Sequence, residues 1–496
     1  MTGLARASSV RMGLLLAFFV ALWTVYASLT QLNLDGFGDM LENYSWGIAW
    51  EQGYYKHPPL FAWITAAWFA VFPNVDWAYY LLSAVNGAAL MFASWRIAVR
   101  FLDPWRAFLA TALFFFLPPV TFLAIKYNAN SAMLPFWAAT VWFYLRFLEK
   151  RRLTDAVILG ALAAASMLIK YFSAALLGAI CLHVLFDREA RSLLLKSGVW
   201  VASLVFIALI TPHLIWLFRN DFLPLTYVSE QGDGSALIGV TSTPRFLAAL
   251  LAYLLPVVLV LLIAILRNGR GPWFDAGPFL ALRETLAGRA LLWTGFGALA
   301  LTLLLGIVFT VQFSSVWALP LYFSAPIFLI LLVKPGRLEA QKPAIPAAVV
   351  LYGACLLALS PLIYAQEAQN TSHYNDVPVR ALAGEIENAW NARYDTPLAY
   401  VAGDKILASG TTFYAASRPY SMQANSYALT PWITPEDVAA KGMAIACFDG
   451  QKGCLAQALE LSGGGADTQD LTVPGFGGER RWTVRVFFVP PAGFGT

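Results

Sequence analysis

The stretch DMLENYSWGIAWEQGYYKHPPL, residues 39–60, decides how the rest of this chain is interpreted. It combines carboxylates, a lysine, a histidine and several aromatic rings, yet it lies between long apolar segments. Polar and charged groups at a membrane are costly and are typical of functional sites. We therefore interpret the stretch as a candidate site in a polar loop, and the flanking segments as membrane spans.

The composition indicates a membrane protein. The chain has 496 residues, of which 59% are hydrophobic and 12% are charged, whereas soluble domains average about 25% charged residues. The net charge of +4 is small for this length, and nucleic-acid binding requires a concentrated basic face. The sequence therefore predicts membrane lipid as a partner, and no nucleic acid.

Apolar runs of roughly 20 residues predict about eleven spans in a mainly α, polytopic transmembrane bundle. The predicted spans are residues 12–31, 78–98, 105–124, 131–148, 154–169, 171–186, 198–217, 245–266, 290–311, 315–333 and 345–364. Residues 60–72 are too few for a span and rich in Trp and Phe, which predicts a helix lying at the membrane interface. The sequence thus predicts a transmembrane domain of residues 1–365 with an outer loop at 32–77.

The distribution of basic residues predicts the orientation, because Lys and Arg concentrate in cytoplasmic loops. With the N-terminus inside and residues 60–72 not crossing, the basic clusters fall on one side. These clusters lie at residues 96–106, 150–152, 188–196, 267–289 and 334–342. The loop before residue 60, the turn at 126–130 and everything after 365 are then outside. The charge pattern thus predicts a multi-pass membrane protein whose candidate site and tail face the outside. In a bacterial cell the membrane would be the cytoplasmic (inner) membrane, with the site and the tail facing the periplasm or outside.

The tail, residues 366–496, is predicted to be a small extracytoplasmic α/β domain. Residues 377–394 have helical apolar spacing, and residues 398–402, 444–448 and 482–489 have the composition of strands. Cys447 and Cys454 lie seven residues apart around a Gly-containing turn. They are a candidate disulfide if the tail is outside the cytoplasm.

Two carboxylates in the first loop are candidate catalytic groups. Asp39 and Glu42 lie three residues apart, which puts both on one face of a helical turn. A carboxylate there can take a proton from an acceptor hydroxyl or amine. The alternative is that these acids solvate the loop or cap a helix. Asp35, four residues earlier and just before a glycine, is interpreted as a turn residue.

Lysines and a histidine on the outer side are candidate phosphate ligands. Lys56 and His57 precede two prolines, which fix the direction of the chain, and Lys126 and Lys170 lie at the outer ends of spans. Cations at this surface suit a phosphate, although lysines beside spans also snorkel to the headgroups. The polar and aromatic side chains predicted to line a substrate are Tyr44, Tyr54, Tyr55, Asn128, Asn130, Tyr171 and His213.

Other site types have no sequence support. No glycine-rich phosphate loop follows a strand, and no His/Cys cluster has the spacing of metal ligands. The sequence therefore predicts neither a metal nor a cofactor.

The first loop resembles the C-type glycosyltransferases, the group of protein O-mannosyltransferases and lipid A aminoarabinose transferases. The resemblance rests on an outer acid followed by a Gly-Tyr-x-x-[His/Lys]-Pro-Pro-Leu element and an interfacial helix. Here these are Asp39 and then Gly53-Tyr54-Tyr55-Lys56-His57-Pro58-Pro59-Leu60. Further matching elements are Leu168-Ile169-Lys170-Tyr171, Pro212-His213-Leu214-Ile215-Trp216, Phe413-Tyr414 and Arg418-Pro419.

The resemblance implies a hexosyl- or pentosyltransferase that moves a sugar from a polyprenyl-phosphate carrier to an envelope acceptor, with inversion and without a nucleotide. Lipid A, a glycan, a lipid and a protein are the candidate acceptors. Asp39 would be the acid/base, and His57 with Lys56 would meet the donor phosphate. The chain departs from the pattern where Met40 replaces the Glu of an Asp-Glu pair. It departs again where Asn128 or Asn130 replaces an acid of the second outer loop.

Two other function classes fit the span count. A transporter or lipid flippase usually carries polar or Gly/Pro-broken positions near the bilayer midplane, whereas here the polar residues concentrate at the outer edge. A non-catalytic membrane scaffold would leave residues 39–60 without a role.

Overall fold

The computed structural model describes residues 3–230, 237–266, 271–339, 344–478 and 480–493. The predicted mainly α fold with a small C-terminal α/β part is confirmed. The chain forms two compact units. The first comprises Met1–Thr24, Lys56–Pro58 and Leu81–Leu357, and the second comprises Val25–Tyr55, Pro59–Tyr80 and Ala358–Thr496. The second unit thus joins first-loop residues to the tail, and the division does not follow the predicted boundary at residue 366.

Helices make up nearly all of the chain as far as Ala368. They are α1 (Gly3–Thr30), α2 (Asp39–Gly47), α3 (Leu60–Phe69), α4 (Asp76–Ala98), α5 (Pro104–Ala112), α6 (Ala129–Lys150), α7 (Leu153–Ile169), α8 (Ala174–Phe186), α9 (Arg188–Arg191), α10 (Ser197–Arg219), α11 (Leu223–Glu230), α12 (Ile238–Leu266), α13 (Gly277–Leu280), α14 (Leu286–Leu292), α15 (Ala298–Val308), α16 (Ala325–Leu331), α17 (Pro335–Glu339) and α18 (Ala344–Ala368). The 3-10 segments here are Leu113–Phe116, Phe122–Ala124, Tyr171–Ser173, Ser192–Leu195, Ala281–Glu284 and Ser315–Ser324, and Trp293–Gly297 is a π-helical turn.

Within the described ranges, six helices are long and apolar enough to cross a membrane, or seven if a pair bent by 88° at residue 187 is one span. These six are Ser9–Thr30, Asp76–Ala98, Ser197–Arg219, Ile238–Leu266, Leu286–Val308 and Ala344–Ala368. All eleven predicted spans fall on helical segments, some of them shorter or bent, so the count of eleven stays a prediction. The segment predicted at 105–124 ends early, at Phe116, because Pro118 and Pro119 follow.

Small residues let helices of the first unit approach closely, as is common in membrane bundles. A Cβ atom on Gly160 of α7 would lie 2.3 Å from the carbonyl oxygen of Ala202 in α10. Arg146 of α6 also forms a 2.7 Å ion pair with the fully buried Asp155 of α7. These contacts fix α6, α7 and α10 as the scaffold for the polar residues at their ends.

The tail contains a five-stranded sheet flanked by helices. Its helices are α19 (Val379–Asn391), α20 (Lys405–Tyr414), α21 (Pro435–Lys441) and α22 (Lys452–Leu461), with a 3-10 turn at Gln423–Asn425. The strands are β1 (Tyr400–Gly403), β2 (Tyr420–Ser421), β3 (Met443–Phe448), β4 (Asp467–Pro474) and β5 (Arg481–Val489). The order across the sheet is β2-β1-β3-β5-β4. β1 runs parallel to β2 and β3, and β5 is antiparallel to β3 and β4.

The helix predicted at 377–394 and the three predicted strands correspond to α19, β1, β3 and β5. The prediction omits β2 and β4. β2 has only two residues, and β4 is a polar edge strand with mostly exposed side chains, so neither has an apolar pattern. A disulfide joins Cys447 at the end of β3 to Cys454 in α22, with their Cα atoms 5.8 Å apart.

Hydrogen bonds explain why first-loop residues and the tail form one unit. The buried side-chain amide of Asn33 donates to the carbonyl oxygens of Tyr374 and Val377, each at 2.8 Å. The Tyr414 hydroxyl donates to an Asp76 carboxylate oxygen at 2.7 Å. Buried polar groups are costly unless paired, so these contacts set the position of the first loop on the tail.

Candidate functional site

The first candidate catalytic residue, Asp39, is the first residue of α2. Asp35 satisfies the helix start, because its carboxylate accepts hydrogen bonds from the backbone N–H groups of Phe37 at 2.9 Å and Met40 at 2.8 Å. Asp35 therefore has the turn role predicted for it. Since Asp35 accepts these bonds, the Asp39 carboxylate is not required as a cap.

The Asp39 carboxylate faces a cation of the same unit. Lys405 Nζ lies 3.6 Å from Asp39 Oδ1, and the two side chains are 34% and 33% exposed. The pair is thus accessible to a substrate from solvent. Lys405 is absent from the residues predicted from the sequence. Its position just after a buried strand could have identified Lys405 as a candidate, because functional residues of α/β sheets concentrate at the ends of strands.

Glu42 lies one turn further along α2 in a different environment. Its side chain is 5% exposed, and Oε1 accepts a hydrogen bond from the Tyr55 hydroxyl at 3.4 Å. The predicted helical turn is present, but it buries Glu42 and leaves Asp39 accessible. Of the two carboxylates, Asp39 is the better placed to meet an acceptor.

Two of the predicted substrate-lining tyrosines are packed in the interior of the second unit. Tyr44 contacts the ring edges of Phe69 and Phe413, with centroid distances of 5.4 and 5.0 Å. Tyr54 is fully buried and stacks on Trp46 at 5.3 Å. Burial raises the pKa of both phenols above the ordinary value, so neither is a base near neutral pH. This packing corrects the prediction that Tyr44 and Tyr54 face a substrate, whereas Tyr55 is only partly buried.

In the first unit, Lys170 is held at the point where two helical segments meet. It caps the C-terminus of α7, and its ammonium donates to Asn130 Oδ1 at 2.5 Å. Nζ also lies 5.3 Å from the centroid of the Trp317 ring, which is within cation–π range. A lysine fixed by an amide and an aromatic face is more ordered than one that only snorkels.

The two asparagines of the second predicted outer turn have different roles. Asn128 is the N-cap of α6, and its side chain accepts hydrogen bonds from the N–H groups of Asn130 and Ser131. Its side-chain oxygen is thus engaged in capping the helix, and its role beside a substrate stays a prediction. Of the two asparagines, Asn130 is the one whose side chain contacts Lys170.

His213 and Tyr171 form a second polar pair of this unit. The Tyr171 hydroxyl and His213 Nε2 are 2.7 Å apart, and the His213 ring is stacked 6.1 Å from that of Trp216. His213 is 1% exposed, and its ring is held between Tyr171 and Trp216 as a buried structural histidine would be.

The remaining cations are partly buried in the first unit. Lys56 Nζ lies 5.7 Å from the centroid of the Tyr227 ring. His57 and Lys126 have intermediate exposure. Among the described residues, no group of three or more His, Cys, Asp or Glu side chains is arranged to hold a metal ion.

The helical fold with its α/β tail is similar to that of the C-type glycosyltransferases. The crystal structure of ArnT from Cupriavidus metallidurans bound to undecaprenyl phosphate superposes with a TM-score of 0.52, and the apo form gives the same score. The alignment to the bound form covers 97% of this chain and 98% of ArnT at 16% identity. At this identity the similarity establishes the fold.

Two sequence comparisons agree with this class. Residues 56–216 match the family described as dolichyl-phosphate-mannose-protein mannosyltransferase. A 270-residue segment is 25% identical to the lipid A galacturonosyltransferase RgtD of Rhizobium johnstonii. That match covers 53% of this chain and 56% of the relative, so it spans about half of the relative's length. The resemblance to C-type glycosyltransferases of the ArnT and protein O-mannosyltransferase type, predicted from the first loop, is confirmed.

Proposed function

We propose that this protein is a membrane glycosyltransferase that moves a sugar from a polyprenyl-phosphate carrier to lipid A or a related envelope lipid. The observation that carries the proposal is the accessible Asp39 carboxylate beside Lys405, in a chain with the ArnT fold. ArnT was crystallised with undecaprenyl phosphate, and RgtD is a lipid A galacturonosyltransferase. These relatives support the donor class and the acceptor class.

The proposed reaction is a single displacement. An acceptor hydroxyl loses its proton to the Asp39 carboxylate, and its oxygen bonds to C1 of the sugar. The bond from C1 to the carrier phosphate oxygen breaks, and the polyprenyl phosphate leaves with the electron pair. Attack opposite to the leaving group inverts C1. A positioned base contributes typically 10²–10⁴-fold to such a step.

Lysines supply the other requirement of this reaction, which is stabilisation of the phosphate that leaves. Preorganised cations stabilise charge that develops in a transition state. Lys170 is the best candidate because Asn130 and Trp317 hold its ammonium in place. Lys56, His57 and Lys126 are the further candidates. We propose that they act at the outer face of a bacterial inner membrane, where the apolar carrier presents its phosphosugar.

The proposal is tested by transfer with purified full-length protein in detergent. The protein is incubated with lipid A and a panel of polyprenyl-phosphate sugars, and products are identified by mass spectrometry. A product one sugar residue heavier than lipid A, absent with the Asp39→Asn variant, is expected. No product with any donor, together with unchanged envelope lipids and glycans in cells lacking the protein, would contradict the proposal. The transporter or flippase alternative predicts no transfer product with the purified protein.

A further inference from the structure

A cleft of about 420 Å³ opens in the second unit at the carboxyl ends of strands β1 and β3. Its lining includes Asp404, Lys405, Asn425, Gln451 and Lys452. The volume lies within the range of roughly 300–1,000 Å³ that is typical of small-molecule sites. All of the lining residues belong to the tail.

The sheet topology places this cleft where ligands commonly bind. β1 and β3 are parallel neighbours, but the chain leaves β1 toward β2 on one side and leaves β3 toward β5 and β4 on the other. In open α/β sheets, ligands bind outside the carboxyl ends of strands at such a switch point. Gly403, at the end of β1, has a φ of 111°, and a Cβ there would lie 1.9 Å from the Ala446 carbonyl oxygen. Glycine is therefore required at the base of the cleft.

The charges of the cleft favour an anion. Two ten-residue helices, α20 and α22, begin there with Lys405 and Lys452 as their first residues. Among the described residues no acidic group pairs with Lys452, and Lys405 lies beside Asp39. The N-terminal N–H groups of the two helices add partial positive charge.

Protein groups already donate hydrogen bonds to the Asp404 carboxylate in the cleft lining. Asp404 accepts hydrogen bonds from the backbone N–H of Ile406 at 2.9 Å, from Gln451 Nε2 at 2.9 Å and from the Tyr374 hydroxyl at 3.3 Å. These neutral donors hold the carboxylate in place without removing its charge, and Lys405 faces Asp39. Lys452 and the uncapped N-terminus of α22 therefore supply the positive potential available to an anion.

An acceptor atom of the lining has no donor. Gln451 Nε2 is bound to Asp404, which fixes the side-chain amide, while Gln451 Oε1 is buried without a hydrogen bond from any described residue. An unsatisfied buried acceptor is costly. Since this oxygen is closed off from the cleft, a ligand there meets instead the amide side chains of Asn425 and Gln457, which also line it.

We propose that this cleft binds a phosphorylated sugar. The phosphate lies between Lys405 and Lys452 at the helix starts, and the sugar hydroxyls face the amide side chains of Asn425 and Gln457. Because Lys405 also contacts Asp39 at 3.6 Å, the bound sugar lies beside the candidate base. The identification of this sugar as part of the acceptor rests on the proposed function. Its binding in the cleft does not.

The test measures binding to the full-length protein in detergent by calorimetry, with glucose 1-phosphate, glucose and inorganic phosphate as probes and no donor present. Glucose 1-phosphate is expected to bind most tightly. Lys452→Gln should weaken its binding about ten-fold or more, as loss of a charged hydrogen bond implies. Lys441→Gln is the matched control, because Lys441 is an exposed lysine of the same domain outside the cleft lining. The Lys441→Gln variant should bind glucose 1-phosphate as tightly as the unmodified protein does.

A second variant blocks the cleft by another route. Gly453 lines the cleft, and a Cβ added there meets no atom within 4 Å. Gly453→Asp should therefore preserve the fold, measured as an unchanged Tm, while its carboxylate repels the phosphate and abolishes binding. Undiminished binding of glucose 1-phosphate by both Lys452→Gln and Gly453→Asp would show that the cleft is not the binding site. Inorganic phosphate that binds as tightly as glucose 1-phosphate would show that the sugar is not recognised.

Titration with lipid A in mixed micelles, with and without its phosphates, identifies the source of the sugar. Tighter binding of phosphorylated lipid A than of glucose 1-phosphate assigns a lipid headgroup, and the reverse assigns a free sugar phosphate. An Asp39→Asn protein that binds the probes without transferring sugar separates this site from the proposed reaction. Active transfer without binding of any probe overturns the cleft and leaves the reaction intact.

Discussion

Lys405 Nζ and Asp39 Oδ1 lie 3.6 Å apart, although the two residues are separated by most of the chain. The pair joins the first polar loop to the tail within one compact unit. Asp39 begins a helix whose start is satisfied by Asp35, so its carboxylate is not needed as the helix cap. The tail thus contributes a charged side chain to the candidate catalytic group of the loop.

Asp39→Asn should reduce transfer by at least roughly 10², the usual contribution of a general base. The amide keeps the size and most hydrogen bonding of the carboxylate, but it cannot take the proton. The measurement is kcat/KM for sugar transfer at saturating donor, with Tm as a check of folding. The comparison variant is Glu42→Gln, which changes a buried carboxylate of the same helix and should cost much less. A larger loss at Glu42 would move the base assignment there.

Lys405→Met should have a smaller effect on turnover, because Lys405 positions Asp39 and does not take the proton. Partly exposed ion pairs contribute about 0.2–1 kcal/mol, which corresponds to a decrease of about 1.4- to five-fold in kcat. Lys405→Arg keeps the charge and should restore most of the activity. The rates are compared at saturating acceptor, so that weaker binding of the acceptor does not affect the measured kcat. Equal rates for Lys405→Met and Lys405→Arg would rule out a role of the charge.

Lys170→Met should raise the apparent donor constant by about ten-fold or more, since a charged hydrogen bond contributes roughly 1.5–3 kcal/mol. Acceptor dependence should change little. Initial rates at varied donor and varied acceptor separate the two effects. A lysine that only snorkels keeps its ammonium in water in every state, and its replacement would leave both constants unchanged. Lys56→Met provides the same test for a second candidate cation.

Much of the fold follows from the sequence because apolar runs and alternation indicate which side chains are removed from water, into lipid or into a protein core. The predicted spans fall on helices, and α19, β1, β3 and β5 lie where the tail pattern indicates. β4 was missed because a polar edge strand has no apolar face. The candidate residues of the first loop were identified from their residue types, next to the two prolines and at the start of a helix. The partner Lys405 was missed because it is distant in sequence and brought close only by tertiary packing.

The interpretation of single polar residues was the less reliable part. Tyr44 and Tyr54 lie in a polar stretch, yet their rings complete an aromatic core. Asn128 caps α6 and Asn130 meets Lys170, although the two have the same side chain two positions apart. Composition does not distinguish these roles, since helix phase and neighbours decide which way each side chain points.

The orientation predicted from the basic clusters is tested by labelling in intact cells. Ser372 is exposed near the start of the tail. In a background without other free cysteines, Ser372→Cys should react with a membrane-impermeant thiol reagent from outside. The background requires replacing Cys181 and Cys355, the free cysteines of the described chain. Labelling only after permeabilisation would place the tail in the cytoplasm and overturn the assignment from charge.

Removal of the Cys447–Cys454 disulfide should destabilise the tail. A crosslink that closes such a short loop contributes about 2–3 kcal/mol in the chain-entropy view. The double variant Cys447→Ala with Cys454→Ala should therefore lower the Tm of the full-length protein. Cys454 also lines the cleft at β1 and β3, so binding of glucose 1-phosphate should weaken in parallel.

The matched control for this change is Cys181→Ala with Cys355→Ala, which removes two thiols that form no disulfide. Its Tm should stay close to that of the unmodified protein, and it should keep its binding of glucose 1-phosphate. Reducing agent should lower the Tm of the control protein and leave that of the Cys447/Cys454 double variant unchanged, because only the control retains the bond. An identical Tm for all three proteins, with and without reductant, would show that the disulfide does not stabilise the tail.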